Sequence, residues 1–297
     1  MINVWACRPQ NVIYSAPHIG VDELKQAHTA VFIHALVGVF KKKRGTGTWG
    51  HGLQILTELL DLVDSSGLTV ESKGIYITLL GNVADRFESK TVLAKRNSSK
   101  VHIIAESNHS ELVEYPALHA MQLYANLTHP RTKLLYMHTK GVRRNGWHVD
   151  YPAEWRRYMT FFLVEKYSVC STALDQRGFE SCGVLMNRNI YEGNFWWTTA
   201  GWLSKRRPLI KDMVWSQATR YGAEEYILKN VPGKQLLHYC IHHAHHNMQS
   251  CSTPRWLYEN ASLAFRDNPN CYDIKNEPPN KSKDPVSWCH HKKLPEL

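Results

Sequence analysis

The sequence predicts an α/β fold: a mostly parallel, doubly wound sheet with helices on both faces, followed by a C-terminal extension. Three observations carry this. Short apolar, partly β-branched runs recur at residues 30–36, 75–80, 101–105 and 133–137. Helical apolar spacing fills the gaps between the first and second runs and between the third and fourth. The runs end on glycine or short polar turns, as at Gly38, Gly81, Glu106-Ser107-Asn108 and Gly141. Strands alternating with helices in this way make a parallel sheet.

The elements follow in order. Residues 1–27 lack periodicity and read as an arm in which Trp5, Val12, Ile13 and Tyr14 pack on the domain. Ala30 to Leu36 is the first strand. A basic, glycine-rich stretch, Lys41 to Gly52, leads to a helix over about 51–64, where Leu53, Leu56, Leu60 and Val63 share a face. Ile75–Leu80 is the second strand. Residues 83–100 are polar and read as irregular. Val101–Ala105 is the third strand. Pro116 opens a helix to about Leu127. Lys133–Met137 is the fourth strand.

Beyond it, a strong helix is expected at 153–174, a strand at 181–186, a helix through Trp202, and a short helix at 220–230 opened by Gly222-Ala223-Glu224-Glu225. The expected division is an arm at 1–27, a domain at 28–235, and a histidine-rich segment and tail at 236–297.

Bulk composition narrows the classes. The 297 residues suffice for one large domain. The net charge of +10 suits an anionic partner without choosing one. No run approaches the ~18 apolar residues of a membrane span, and residues 1–20 lack the pattern of a signal peptide. The expectation is a cytoplasmic protein. Seven scattered cysteines without a Cys-x-x-Cys pair read as mostly reduced thiols, with Cys251, Cys271 and Cys289 spaced to allow one disulfide. Asn97, Asn108, Asn126, Asn260 and Asn280 begin Asn-x-Ser/Thr sequons, which matter only in a secretory lumen.

In a doubly wound sheet, ligands bind outside the carboxyl ends of the strands. His138-Thr139-Lys140-Gly141 lies at such an end. A lysine beside a glycine there suits a phosphate. The plainer reading is an ordinary polar turn. The run Lys41–Arg44 reads either as a solvated loop or as a flap over a diphosphate. Gly45-x-Gly47-x-x-Gly50 lacks the context of a dinucleotide fingerprint.

Four segments together carry a resemblance: Leu135–Val142 with its His-Thr-Lys-Gly turn, Trp155-Arg156, Gly193-Asn194-Phe195-Trp196-Trp197, and Arg220-x-x-Ala223-Glu224. Over residues 30–230 the chain resembles glycosyltransferase-like proteins with these motifs. The resemblance implies a GT-A-type, Rossmann-like fold binding a nucleotide sugar. The chain departs from the usual GT-A pattern, because His138-Thr139-Lys140 stands where an Asp-x-Asp would hold a divalent metal.

The expected donor site is therefore His138, Thr139, Lys140, Gly141, Arg156, Gly38 and Asp85, with Arg143 as a further cation. Lys140 replaces the metal at the diphosphate. Glu224 is the expected base of an inverting transfer; the plainer reading is an acid complementing a helix N-terminus. Gly193, Asn194, Phe195, Trp196, Trp197 and Glu225 are expected to wall the acceptor, a glycan, with one tryptophan in the core and one in the pocket. No metal or cofactor is assigned. His238 is a weak metal alternative; His242, His243, His245 and His246 read as surface histidines, the other reading being a metal pair at His242 and His246, four apart on a helix. Other readings are a basic nucleic-acid-binding protein, disfavoured because no binding motif appears, and an inactive sugar-binding relative.

Overall fold

The computed structural model describes residues 12–15, 25–38, 40–41, 48–49, 52–96, 98–142, 150–176, 178–187, 190–209, 220–228 and 238–241. In chain order the elements begin with β1 (Ile13–Tyr14), β2 (Thr29–Leu36), β3 (Phe40–Lys41), β4 (Thr48–Trp49), α1 (Gly52–Ser65), α2 (Leu68–Glu71) and β5 (Ser72–Leu80). Then come α3 (Val83–Lys95), β6 (Val101–Ser107), α4 (Tyr115–Leu127), β7 (Lys133–His138), α5 (Asp150–Thr160) and α6 (Ser168–Gln176). The last are β8 (Ser181–Gly183), β9 (Met186–Asn187), β10 (Ile190–Tyr191), β11 (Trp196–Thr199), α7 (Ala200–Ser204), α8 (Arg220–Glu225) and β12 (His238–Cys240).

Eight strands form one sheet in the order β1-β6-β5-β2-β7-β11-β8-β12. Its centre, β6-β5-β2-β7, is parallel. β1 and β11 run antiparallel to their neighbours, while β12 joins β8 in parallel. The chain steps outward from β2 to β5 to β6, then crosses back to add β7 on the far side of β2. Right-handed crossovers make such a reversal switch faces. The helices obey this: α1 and the Leu93 end of α3 pack with Val31, Ile33 and Leu135, whereas α4 packs with Phe32, Leu134 and Tyr136 on the opposite face.

Buried strands covered on both sides read as continuous apolar runs, which is why β2, β5 and β7 were visible in the sequence. The arm residues Ile13 and Tyr14 add an edge strand to β6, and Tyr14 is buried with its hydroxyl 3.1 Å from His119 Nδ1.

Four expectations are corrected. Residues 83–95 are helical, because α3 is fastened by polar groups rather than an apolar stripe. Asn82 caps it by accepting from the Asp85 N–H (2.9 Å), and Arg86 donates to Glu106 (2.9 Å). Val83 and Phe87 stay exposed. The expected 153–174 helix is interrupted by a π-turn at Phe161–Glu165. There the Trp197 indole donates to the Leu163 carbonyl at 2.9 Å, and such insertions break a regular ladder.

The expected 181–186 strand divides at Leu185, whose φ is 52°. α8 starts at Arg220, so Glu224 and Glu225 close this helix rather than open it. Cys170 on α6 and Cys182 on β8 form a disulfide, a pairing outside the one allowed among Cys251, Cys271 and Cys289. Cys251, Cys271, Cys289, Arg143, Lys42–Arg44, Gly45-x-Gly47-x-x-Gly50, the histidines at 242–246 and the tail lie outside the described residues.

Candidate ligand site at the carboxyl edge of the sheet

The direction of strand addition reverses between β2 and β7. Their carboxyl ends flank the crevice where doubly wound sheets bind ligands. Thr139 seals its floor. Its N–H donates to the His34 carbonyl (3.0 Å), continuing the ladder, and its hydroxyl then accepts from the Leu36 N–H (2.9 Å). The side chain thus supplies the acceptor that the backbone of β7 takes away as it turns.

The turn is tight. The Lys140 N–H donates to the His138 carbonyl (2.7 Å), and Gly141 has φ +95°. A Cβ on Gly141 would stand 2.7 Å from Pro152 Cβ, so glycine is required for both reasons. Arg156 on α5 staples the turn to α1: Nη1 donates to the Lys140 carbonyl (2.8 Å) and Nη2 to Glu58 Oε2 (3.0 Å). Burial lowers the pKa of this guanidinium, opposed by the Glu58 hydrogen bond. The Lys140 side chain lies over the Trp155 indole, with Nζ 4.0 Å from the ring centroid, a cation–π contact. Two cationic side chains therefore stand at the switch point, both largely buried.

On the opposite face of β7, His138 donates from Nε2 to the Gly193 carbonyl (2.9 Å), since a carbonyl only accepts. Its Nδ1 lies 3.7 Å from Glu114 Oε1. Tyr136 stacks on this ring two residues back, as the period of a strand requires. The Tyr136 phenol is pushed well above its usual pKa, first by burial, then by the charges of Glu114 and Glu224. That effect brings Glu224 of α8 into the same cluster.

A family model described as a domain of unknown function, DUF8361, matches residues 38–227. The chain belongs to the DUF8361 family. No curated protein and no solved structure matches it.

The matched DUF8361 region contains every expected site residue except His238. It brings Gly38 and Asp85 together: Gly38 has φ +136°, and a Cβ there would meet the Asp85 carboxylate at 2.4 Å. It brings Lys140 and Arg156 together at the turn, and Glu224 near Tyr136. It does not open the aromatic segment. Asn194, Phe195, Trp196 and Trp197 are all buried, so the expectation of one tryptophan in a pocket is corrected. β11 is an interior strand with both faces covered. Trp196 packs on Tyr136 (5.0 Å between rings) and Trp197 faces Leu163 and Tyr167 on the other side.

His138 and Thr139 are likewise committed to the scaffold through Gly193 and Leu36. Glu225 is half-buried at the end of α8. His238 lies at the amino end of β12, paired with Ser181 at the opposite edge of the sheet. Its Nδ1 is 2.7 Å from Ser181 Oγ and its ring meets Trp202 edge-on, so it does not face this crevice. Among the described residues no three acidic, histidine or cysteine side chains converge as a metal site.

Sequence reasoning missed Glu114, buried just before α4, and His34, buried in β2 with Nδ1 3.2 Å from Thr78 Oγ1. A histidine inside an apolar strand and an acid just ahead of a Tyr-Pro helix start are the signals available, though neither says what it faces. On this side of the DUF8361 sheet the Tyr136 hydroxyl and Asn194 Nδ2 are buried with no hydrogen-bond partner among the described residues. Asn194 itself has φ +58°.

Proposed function

We propose that this DUF8361 protein is a glycosyltransferase with a GT-A-type sheet. It moves a sugar from a nucleotide-sugar donor to a hydroxyl of a glycan acceptor. The observation that carries the reading is the cationic turn at the switch point, where Lys140 and Arg156 stand between the ends of β2 and β7. That is where a Rossmann-like sheet receives a diphosphate. Asp85 beside Gly38 is suited to accept hydrogen bonds from a ribose or sugar hydroxyl.

The chemistry follows. The acceptor oxygen attacks the anomeric carbon and gives its proton to the Glu224 carboxylate. A new C–O bond forms as the bond to the diphosphate breaks, inverting the centre. The departing nucleoside diphosphate leaves with its charge balanced by Lys140. The turn itself does not fit a divalent metal. It presents no carboxylate, His138 Nε2 is spent on Gly193, and the Thr139 hydroxyl is spent on Leu36. No step is routed through a metal.

The test is binding and turnover with a panel of nucleoside diphosphates and nucleotide sugars, with manganese or with chelator. One nucleoside diphosphate is expected to raise the melting temperature in chelator. Lys140→Met is expected to weaken that binding about 10- to 100-fold, the value of one charge-assisted hydrogen bond. Binding by no member of the panel would overturn the reading. Binding without turnover would instead favour the inactive sugar-binding relative.

A further inference from the structure

The disulfide has a consequence for where the chain folds. Cys170 and Cys182 are both fully buried, and their bond ties α6 to β8 inside the core that holds Trp197. The pair is sealed from solvent once the helix packs, so it is oxidised in the compartment where folding takes place. Structural disulfides persist in secretory and other oxidising compartments, whereas cytosolic reductants keep thiols reduced. Such a compartment would accommodate this bond where the expected cytoplasm would keep its cysteines reduced. In a secretory lumen, Asn-x-Ser/Thr sequons become substrates.

Two sequon asparagines, Asn108 and Asn126, are among the described residues, and they stand at opposite edges of the sheet. Asn108 follows the carboxyl end of β6, on the edge that carries the Lys140 turn. Its Oδ1 accepts from Arg86, the same guanidinium that donates to Glu106. Asn126 lies in the last turn of α4 with its side chain exposed. Because α4 begins at the carboxyl edge and returns the chain to the start of β7, Asn126 sits at the amino edge, away from the crevice. A bulky group there obstructs neither the Lys140 turn nor the sheet. None of the hydrogen bonds described above uses its amide.

We propose that the chain folds in an oxidising, glycosylating lumen and carries an N-linked glycan on Asn126. In that modification the amide nitrogen of Asn126 bonds to the anomeric carbon of a lipid-linked oligosaccharide. It loses one of its protons, and the lipid diphosphate departs. The transfer precedes folding, so the burial of Thr128 in the finished helix cap does not hinder it. The inference is independent of the sugar-transfer reading.

The experiment uses the full chain isolated from its own source cells. The protein is denatured, alkylated without reductant and digested. Its peptides are then treated with peptide N-glycosidase in ¹⁸O water and read by mass spectrometry. The expected result is a joined Cys170–Cys182 peptide pair together with ¹⁸O-labelled aspartate at position 126. In the same cells Asn126→Gln is expected to run one glycan lighter on a denaturing gel, while Asn108→Gln keeps the Asn126 glycan. Alkylated Cys170 and Cys182, or an Asn126 peptide found only unmodified, would overturn the proposal.

Discussion

Replacing Thr139 with valine isolates one hydrogen bond at the switch point. Valine keeps the shape of threonine, so no cavity opens, but the acceptor for the Leu36 N–H is gone. Leu36 is 6% exposed and Thr139 3%, so water cannot readily replace the lost partner. An unsatisfied buried donor costs about 1–3 kcal/mol. With a melting-temperature change of about 2–4 °C per kcal/mol for a domain of this size, Thr139→Val is expected to melt about 2–12 °C lower. Thr139→Ser keeps the hydroxyl and loses one methyl, a change of about 1 kcal/mol. Urea unfolding gives both values, and an unchanged m-value confirms that the native state alone was altered. Amide exchange supplies a local check, because the Leu36 N–H should lose protection in the valine variant and keep it in the serine variant. A valine variant within about 0.5 kcal/mol of the parent, with Leu36 still protected, would refute the claim that this hydroxyl seals the crevice.

Three further predictions concern the rest of the molecule. Burial holds the pKa values of His119 and His238 down at about 4, with Arg206 adding to the effect on His238. Above pH 6.5 both are neutral in either state. Below it the unfolded chain takes up protons that the fold refuses, so stability should fall between about pH 6.5 and 4, by up to ~1.4 kcal/mol per pH unit for each histidine. Urea midpoints across that range should flatten in His119→Gln; an unchanged slope would exclude this origin. The Cys170–Cys182 bond closes a loop with a sequence separation of 12. Replacing both cysteines with alanine should cost about 3 kcal/mol by chain entropy, read as a fall in melting temperature of about 6–12 °C. Glu224→Gln should keep nucleotide binding and lose transfer about 10²-fold or more; a full transfer rate would remove Glu224 as the base.

The centre of the fold was legible because buried parallel strands announce themselves: apart from His34, Ala30–Leu36 is apolar on both faces, as is Leu134–Met137. α3 was not, since Leu93 is its one buried apolar side chain, and the Arg86 bond to Glu106 and the Asn82 cap leave no periodic stripe. The candidate site divides in the same way. Lys140 and Gly141 were visible from their place after a strand. The partnership of His138 with Glu114, or of Thr139 with Leu36, joins positions far apart in the chain and follows only from the strand order. The tryptophans misled for a related reason. A pair of indoles after a glycine suits a sugar wall, until the strand that bears them is found between two covered faces.

That strand has a mechanical meaning. β11 sends one indole into each of the two cores and hydrogen-bonds to β7 and β8 along its edges. The layers on either side of the sheet are thus riveted through adjacent residues, and neither can loosen without disturbing the other. Exchange of the slowest amides on α4 and on the α5 side should accordingly report the same opening free energy. The two halves of the domain would come apart as one cooperative unit, not in sequence.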